Sequence, residues 1–172
     1  MKSVIIGLFT LISQALLTGD LTQELKEAKI KIDLPNDSWY LASRQEVKEM
    51  VVYNFKRTPI EDNDGRQIIP NISVIIENVD EDIDAVTYSA LKRSKVNFKV
   101  SEVYTHEGGR IGLQNAIGYK GTYTDKGGLD HTVYIVHGIN NKKGIQLICD
   151  TTTDILDKME SEFLMTLESI RK

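Results

Sequence analysis

Phe98-Lys99-Val100-Ser101-Glu102-Val103-Tyr104 opens a series of strand-like runs that continues through Ile111 to Tyr123, His131 to His137 and Ile145 to Asp150. The runs are separated by His106-Glu107-Gly108-Gly109, by Asp125-Lys126-Gly127-Gly128 and by Gly138 to Gly144. These links are too short for a parallel crossover, which needs a dozen or more residues, so they predict a four-strand antiparallel meander. Working back from it, Asn71 to Val79 reads as a strand with Ile72, Val74 and Ile76 on one face. Met50 to Lys56 reads likewise, with Val51, Tyr53 and Phe55 sharing a face. Ile30, Ile32 and Leu34 alternate with Lys31 and Asp33, the period of a half-buried strand. Pro35-Asn36-Asp37-Ser38 ends it in a turn, and Trp39 and Tyr40 follow.

Helical spacing appears in three places. Leu21 to Ala28 predicts a short polar helix. Asp80 to Asp82 supply a helix start for Ile83, Val86, Ala90 and Leu91. Thr151-Thr152-Thr153-Asp154 is positioned to cap a final helix, whose apolar stripe is Ile155, Met159, Phe163, Leu167 and Ile170. The polar stretch from Arg57 to Pro70 holds Pro59, Asp62, Asn63, Asp64 and Gly65 and predicts a long surface loop. The pattern predicts an α+β fold, an antiparallel sheet with a C-terminal four-strand meander packed between helices.

Residues 1–15 differ from the rest. Lys2 is their one charged side chain, Val4 to Ile12 are almost wholly apolar, and Ser13-Gln14-Ala15 puts small residues before a cleavage point. This is the layout of a secretory signal peptide, with cleavage after Ala15 or as late as Gly19. The run is short for a membrane span, which takes about 20 apolar residues. The expectation is a secreted or periplasmic protein, one domain over 20–172, with no stable membrane span after signal removal. The formal net charge is −4, with 27% charged residues of both signs interspersed. No concentrated basic surface is present in the sequence for a nucleic acid. With Cys149 as the lone cysteine, no intramolecular disulfide can form, and its strand context predicts a buried, inert thiol.

The order of elements resembles the PsbP-like family. The resemblance spans roughly residues 29 to 171 and is carried by Ile32-Asp33-Leu34-Pro35 with Trp39, and by Asn71-Ile72-Ser73-Val74 after the long loop. It continues in Gly118-Tyr119-Lys120-Gly121-Thr122-Tyr123, in Gly144-Ile145-Gln146-Leu147, and in Glu162-Phe163 of a final helix closing at Ser169-Ile170. That family has an antiparallel sheet between helices, an α/β/α sandwich shared with a eukaryotic factor that binds the small GTPase Ran. The resemblance implies a non-enzymatic accessory role for an exported, bacterial-type member. Photosynthetic members assist the water-splitting complex, and some of them bind manganese or calcium.

His131 and His137 lie six apart on one strand, hence about 20 Å apart, too far for one metal ion. In Asp62-Asn63-Asp64-Gly65, aligning the glycine with position six of a calcium loop leaves Ile60 and Asn71 where the first ligand and the bidentate glutamate belong. There is no Gly-x-Ser-x-Gly elbow, and the paired glycines connect strands rather than precede helices. The reading is therefore no cofactor, no metal, no catalytic residues and no enzyme. Tyr119 and Tyr123 share a strand face beside Tyr134 on the next strand, and amphipathic tyrosines suit interfaces. With Asp62, Asp64 and Arg66 of the long loop they form the candidate interaction surface, for an unknown envelope protein. The alternative is a small-molecule or lipid carrier with a pocket between sheet and helix. Behind it stands a hydrolase assembled only by the fold, which would bring a histidine within hydrogen-bond reach of a serine or Cys149.

Overall fold

A computed structural model describes residues 21–80 and 82–172, so the expected signal peptide lies outside the described residues. β1 (Thr22–Leu25) and β2 (Ile30–Asp33) form a hairpin. β3 (Trp39–Val47), β4 (Met50–Arg57) and β7 (Asn71–Asn78) follow, with a small hairpin of β5 (Ile60–Glu61) and β6 (Gln67–Ile68) between the last two. After α1 (Ala85–Arg93) come β8 (Lys99–Thr105), β9 (Ala116–Thr124), β10 (Asp130–Asn140) and β11 (Lys143–Thr152), and then α2 (Leu156–Ser169). One seven-stranded antiparallel sheet runs β3-β4-β7-β11-β10-β9-β8. The fold is α+β, and the meander β8 to β11 is the one the sequence predicts.

Register sorts the side chains into two faces. Phe55, Ile72, Val74, Leu147, Cys149, Tyr134 and Val136 point to one face, where α2 delivers Met159, Phe163 and Leu167 and the β1–β2 hairpin delivers Leu25, Ile30 and Ile32. Nearly all of these are 0–1% exposed, and this is the core. The predicted stripe of α2 is buried at all five positions, Ile155, Met159, Phe163, Leu167 and Ile170. Glu162 ties the helix to the sheet. It accepts from Trp39 Nε1 at 2.6 Å, Arg57 Nε at 3.0 Å and Asn36 Nδ2 at 3.1 Å. Burial alone would raise its pKa, but these donors outweigh burial and hold it below the usual range. Beyond the helix, Arg171 exchanges backbone hydrogen bonds with Lys31 and pairs with Asp33 at 2.7 Å.

Several local expectations are corrected. Leu21 to Ala28 is not helical: Leu25 and Ile30 pair across β1–β2, and Lys29, at φ 51°, turns the chain between them. The Arg57–Pro70 segment is not a structureless loop, since β5 and β6 pair within it. Gly138 to Gly144 is not a seven-residue turn either. β10 and β11 run on until Asn140 faces Lys143, closed by Asn141 and Lys142, both at positive φ, as a two-residue hairpin turn requires. Before β9, Arg110 to Asn115 is irregular because it packs on the end of α2. The Gly112 N–H donates to Leu167 O, and a Cβ there would meet Glu168 O and Ile170 O at 2.3 Å. The end of α2 near the sheet has no side-chain cap and is entered through a 3-10 turn at Thr153–Ile155, while Asp154 faces Arg66 instead.

α1 covers only part of the other face. Its N-cap is Asp84, whose Oδ1 accepts the Thr87 N–H at 2.7 Å. The helix buries Ala85, Tyr88 and Ser89, whereas the predicted contacts Val86 and Leu91 point outward at 63% and 52% exposure. The sheet selects this face because Tyr88 fits a slot over Gly144, where a Cβ would lie 2.5 Å from the ring, and donates to Glu77 Oε1 at 2.6 Å.

Candidate functional site

The six residues predicted as an interaction surface do not share one. Tyr134 points to the core face and is 0% exposed; it donates to Glu160 Oε1 at 2.5 Å and stacks on Tyr104. Tyr119 lies on the opposite face under α1, 7% exposed, with the Arg93 guanidinium 4.6 Å above its ring centroid. Tyr123 is half-buried, stacks on His131 at 4.9 Å and donates to Asp150 Oδ2 at 2.6 Å. Three tyrosines close in sequence pattern thus go to three environments, because β9 and β10 present alternate faces. In the 57–70 segment, Asp62 is buried and organises the turn. It accepts the backbone N–H groups of Asp64 and Arg66 and the Arg66 Nε at 2.5 Å. Those donors overcome the upward pull of burial and hold its carboxyl below the usual range. Asp64 and Arg66 are exposed, and Arg66 reaches on to Asp154 at 3.4 Å.

The fold does bring a histidine to a serine. Ser89 Oγ lies 3.0 Å from His137 Nδ1 and 2.7 Å from Tyr119 Oη. Ser89 and His137 are 1% and 2% exposed, sealed between α1 and the sheet. Burial, reinforced by Lys92 and Arg93, pushes the His137 pKa down to about 4, so the ring is neutral at pH 7. A neutral imidazole and a hydroxyl satisfy each other here as a packed polar cluster. Neither atom can meet a substrate unless α1 lifts. Cys149 is fully buried on the opposite face, and burial drives its thiol pKa well above the ordinary value. Among the described residues, no group of three or more histidines, cysteines or carboxylates is placed to hold a metal ion.

What sequence reasoning missed is the uncovered half of the α1-side face. α1 and Phe98, whose ring lies over Gly121, cover β9 and β10, but β3, β4, β7 and the far end of β11 lie open. A ladder of hydroxyls and amides crosses this half. Asn54 Nδ2 donates to Ser43 Oγ at 3.1 Å, and Ser73 Oγ donates to Asn54 Oδ1 at 2.9 Å. Val52, Ile75 and Ile148, all half-buried, run beside the ladder. Charge is confined to the margins of these rows. Lys56 and Asp150 stand at one end, where Asp150 is engaged by Tyr123 and by His131 Nδ1 at 2.7 Å. Glu77 stands at the other, engaged by Lys92 and Tyr88 of α1. Two shallow grooves open here. One, of about 520 Å³, is lined by Ala42, Ser43, Asn54, Lys56, Ile69 and Asn71. The other, of about 350 Å³, lies between α1 and the end of β7. The signal for this surface was present at the alternate positions of the strands, Val52, Asn54, Ser73, Ile75 and Ile148. An uncharged polar strand face in a chain with 27% charged residues is uncommon enough to mark.

With this geometry in view, comparison with solved structures is decisive for the fold. LpqN of Mycobacterium tuberculosis, described as involved in cell envelope biogenesis, aligns over 84% of each chain at TM-score 0.58 and 20% identity. The Ran-binding protein Mog1p of Saccharomyces cerevisiae aligns over 90% of this chain and 95% of its own at TM-score 0.54 and 12% identity. The chain has the Mog1/PsbP-like fold. PA94 of Pseudomonas aeruginosa, a protein of unknown function, also shares it, over 88% of this chain and 95% of its own at TM-score 0.56 and 13% identity. At these identities the likeness concerns the fold alone. No protein-family model matches the sequence, and no curated protein sequence matches it.

Proposed function

We propose that this is an exported, non-enzymatic accessory protein of the cell envelope that binds a protein partner through the open β3–β4–β7–β11 half of its sheet. The observation that carries the reading is the composition of that half, aliphatic rows beside mutually bonded hydroxyls and amides with charge only at the margins. Interface cores are depleted of charge in the same way, since desolvating a charge costs more than desolvating a satisfied amide. Export rests on the apolar run Val4 to Ile12 before Ala15. No described helix is long and apolar enough to cross a membrane. Among the similar structures, LpqN is tied to envelope biogenesis and Mog1p to binding a protein, which agrees with a binding role. A carrier draws less support, because the grooves on this face are shallow and partly lined by amides, lysines and carboxylates.

The test is site-specific photocross-linking in the native host. A photoreactive residue at Asn54 or Ser73 should trap the same discrete envelope protein. The same residue at exposed Lys126, in the β9–β10 turn, should not. Equal labelling at all three positions, or none, would remove the open half as the contact surface.

A further inference from the structure

We propose that the outer side of α1 is a self-association surface, which packs antiparallel on α1 of a second copy of this chain. The outward side of the helix holds Val86, Thr87, Ala90 and Leu91 and ends at Ser94, all exposed and none charged. Val86 and Leu91 are among the most exposed large apolar side chains of the described residues. A helix on one layer of a sheet normally turns its apolar side inward, and this one keeps a second apolar side outward.

The charges around that side choose the occupant. Asp80, Asp82 and Asp84, all exposed, precede the helix, whereas Arg93, in its last turn, and Lys95 and Lys99, which follow it, are all exposed. From Ala85 to Ser101 there is no acidic residue. A parallel neighbour would set like charges together. An antiparallel copy sets the acidic entry of each helix against the basic exit of the other, and two-fold symmetry repeats the match. The helix dipoles agree, since each positive N-terminus meets a negative C-terminus. Ala90, midway between Val86 and Ser94, has the small side chain that lets two helix axes approach to about 8 Å. Asp84 is occupied in capping, Lys92 pairs with Glu77, and Arg93 lies over Tyr119 and Phe98. Asp80, Asp82, Lys95 and Lys99 enter no ion pair with other described residues, which leaves them to cross the two-fold axis. One helix pair is smaller than a standard interface, so the dimer is weak and concentration-dependent.

Sedimentation velocity on the chain as recovered from the expressing host tests this. The weight-average mass should rise toward twice the monomer value as concentration increases to about 1 mM, and should fall back in high salt. Lys95→Glu and Asp82→Lys should each weaken association about tenfold or more, because each places two like-charge contacts in the dimer. An equimolar mixture of the two variants should regain it. In the mixed dimer the two substituted positions face each other as an opposite-charge pair, and the native Asp82 and Lys95 make the other contact. Ala90→Arg should leave a monomer whose melting temperature shows it folded. A wild type that stays monomeric at the highest concentration overturns the proposal, as does a mixture no better than either variant alone. Binding of monomer to phosphatidylglycerol vesicles through Lys95 would assign the surface to a membrane instead and overturn it as well.

Discussion

His137 shows how one residue can be read correctly in part and still mislead. Its separation from His131 along β10 follows from strand geometry, and the two rings do sit in separate clusters, one with Ser89 and one with Asp150. Its hydrogen bond to Ser89 was not legible, because Ser89 lies 48 positions away on a helix whose inward side the apolar spacing misassigned. The burial has a measurable result. The folded pKa is about 4 against an ordinary 6.5, so as pH falls through 6.5 the unfolded chain takes up a proton that the folded chain refuses. Stability is therefore unaffected above about pH 7 and decreases as pH falls toward 4. Between pH 7.5 and 5 this one ring should cost about 2 kcal/mol, measured by urea denaturation. His137→Gln should flatten that pH dependence. The depressed carboxyls of Asp33, Asp62 and Glu162 titrate below this window and leave it clear. Tyr134 belongs to the same scale. Its adjacency to Tyr119 and Tyr123 was visible, but which face it takes depends on the register between β9 and β10.

At the scale of elements, the strands and α2 were legible because one strong rule acts on each. α2 has a single apolar stripe and a single large apolar face to cover, so spacing and structure agree. Phe163 sits midway along it, 0% exposed, its ring centroid 5.9 Å from that of Tyr134 and 6.2 Å from that of Trp39. Phe163→Ala should cost about 3–5 kcal/mol in chemical denaturation, and an unchanged midpoint would mean that α2 does not hold the sheet. α1 was misread because its spacing offers two sides. Val86, Ala90 and Leu91 are the more apolar set, yet Tyr88 and Ser89 go inward because Glu77, His137 and Gly144 supply partners and room. The β3 and β8 edges carry register shifts at Leu41/Ser43 and Val100/Glu102, with exposed charges such as Arg44, Glu46, Lys99 and Glu102. Such bulged, charged edges resist strand addition, which agrees with the proposed contact through the face of the sheet rather than its rim.

At the scale of the molecule, the α+β class and the meander follow from short links and period-two runs, and the partly covered second face does not. Coverage depends on where α1 lands, and that is set by side chains distant in sequence. The proposed export is tested on the whole chain. The form isolated from its native host should begin between about Leu16 and Leu21 by mass spectrometry, and intact Met1 in a soluble cytoplasmic fraction would remove the export reading. The order of strands has a further result, in time rather than in space. β3, β4 and β7 follow one another with only the small β5–β6 hairpin between the last two, and β8 to β11 are consecutive, so the pairings within each half of the sheet are local. The halves meet at one ladder, β7 on β11, whose partners run from Asn78 with Lys143 at its near end to Asn71 with Asp150 at its far end, so every pair lies at least 65 positions apart along the chain. Local hairpins close in microseconds, whereas a pairing of that span must first overcome loop-closure entropy. The span of this ladder predicts that the seam zips after the hairpins of each half have formed.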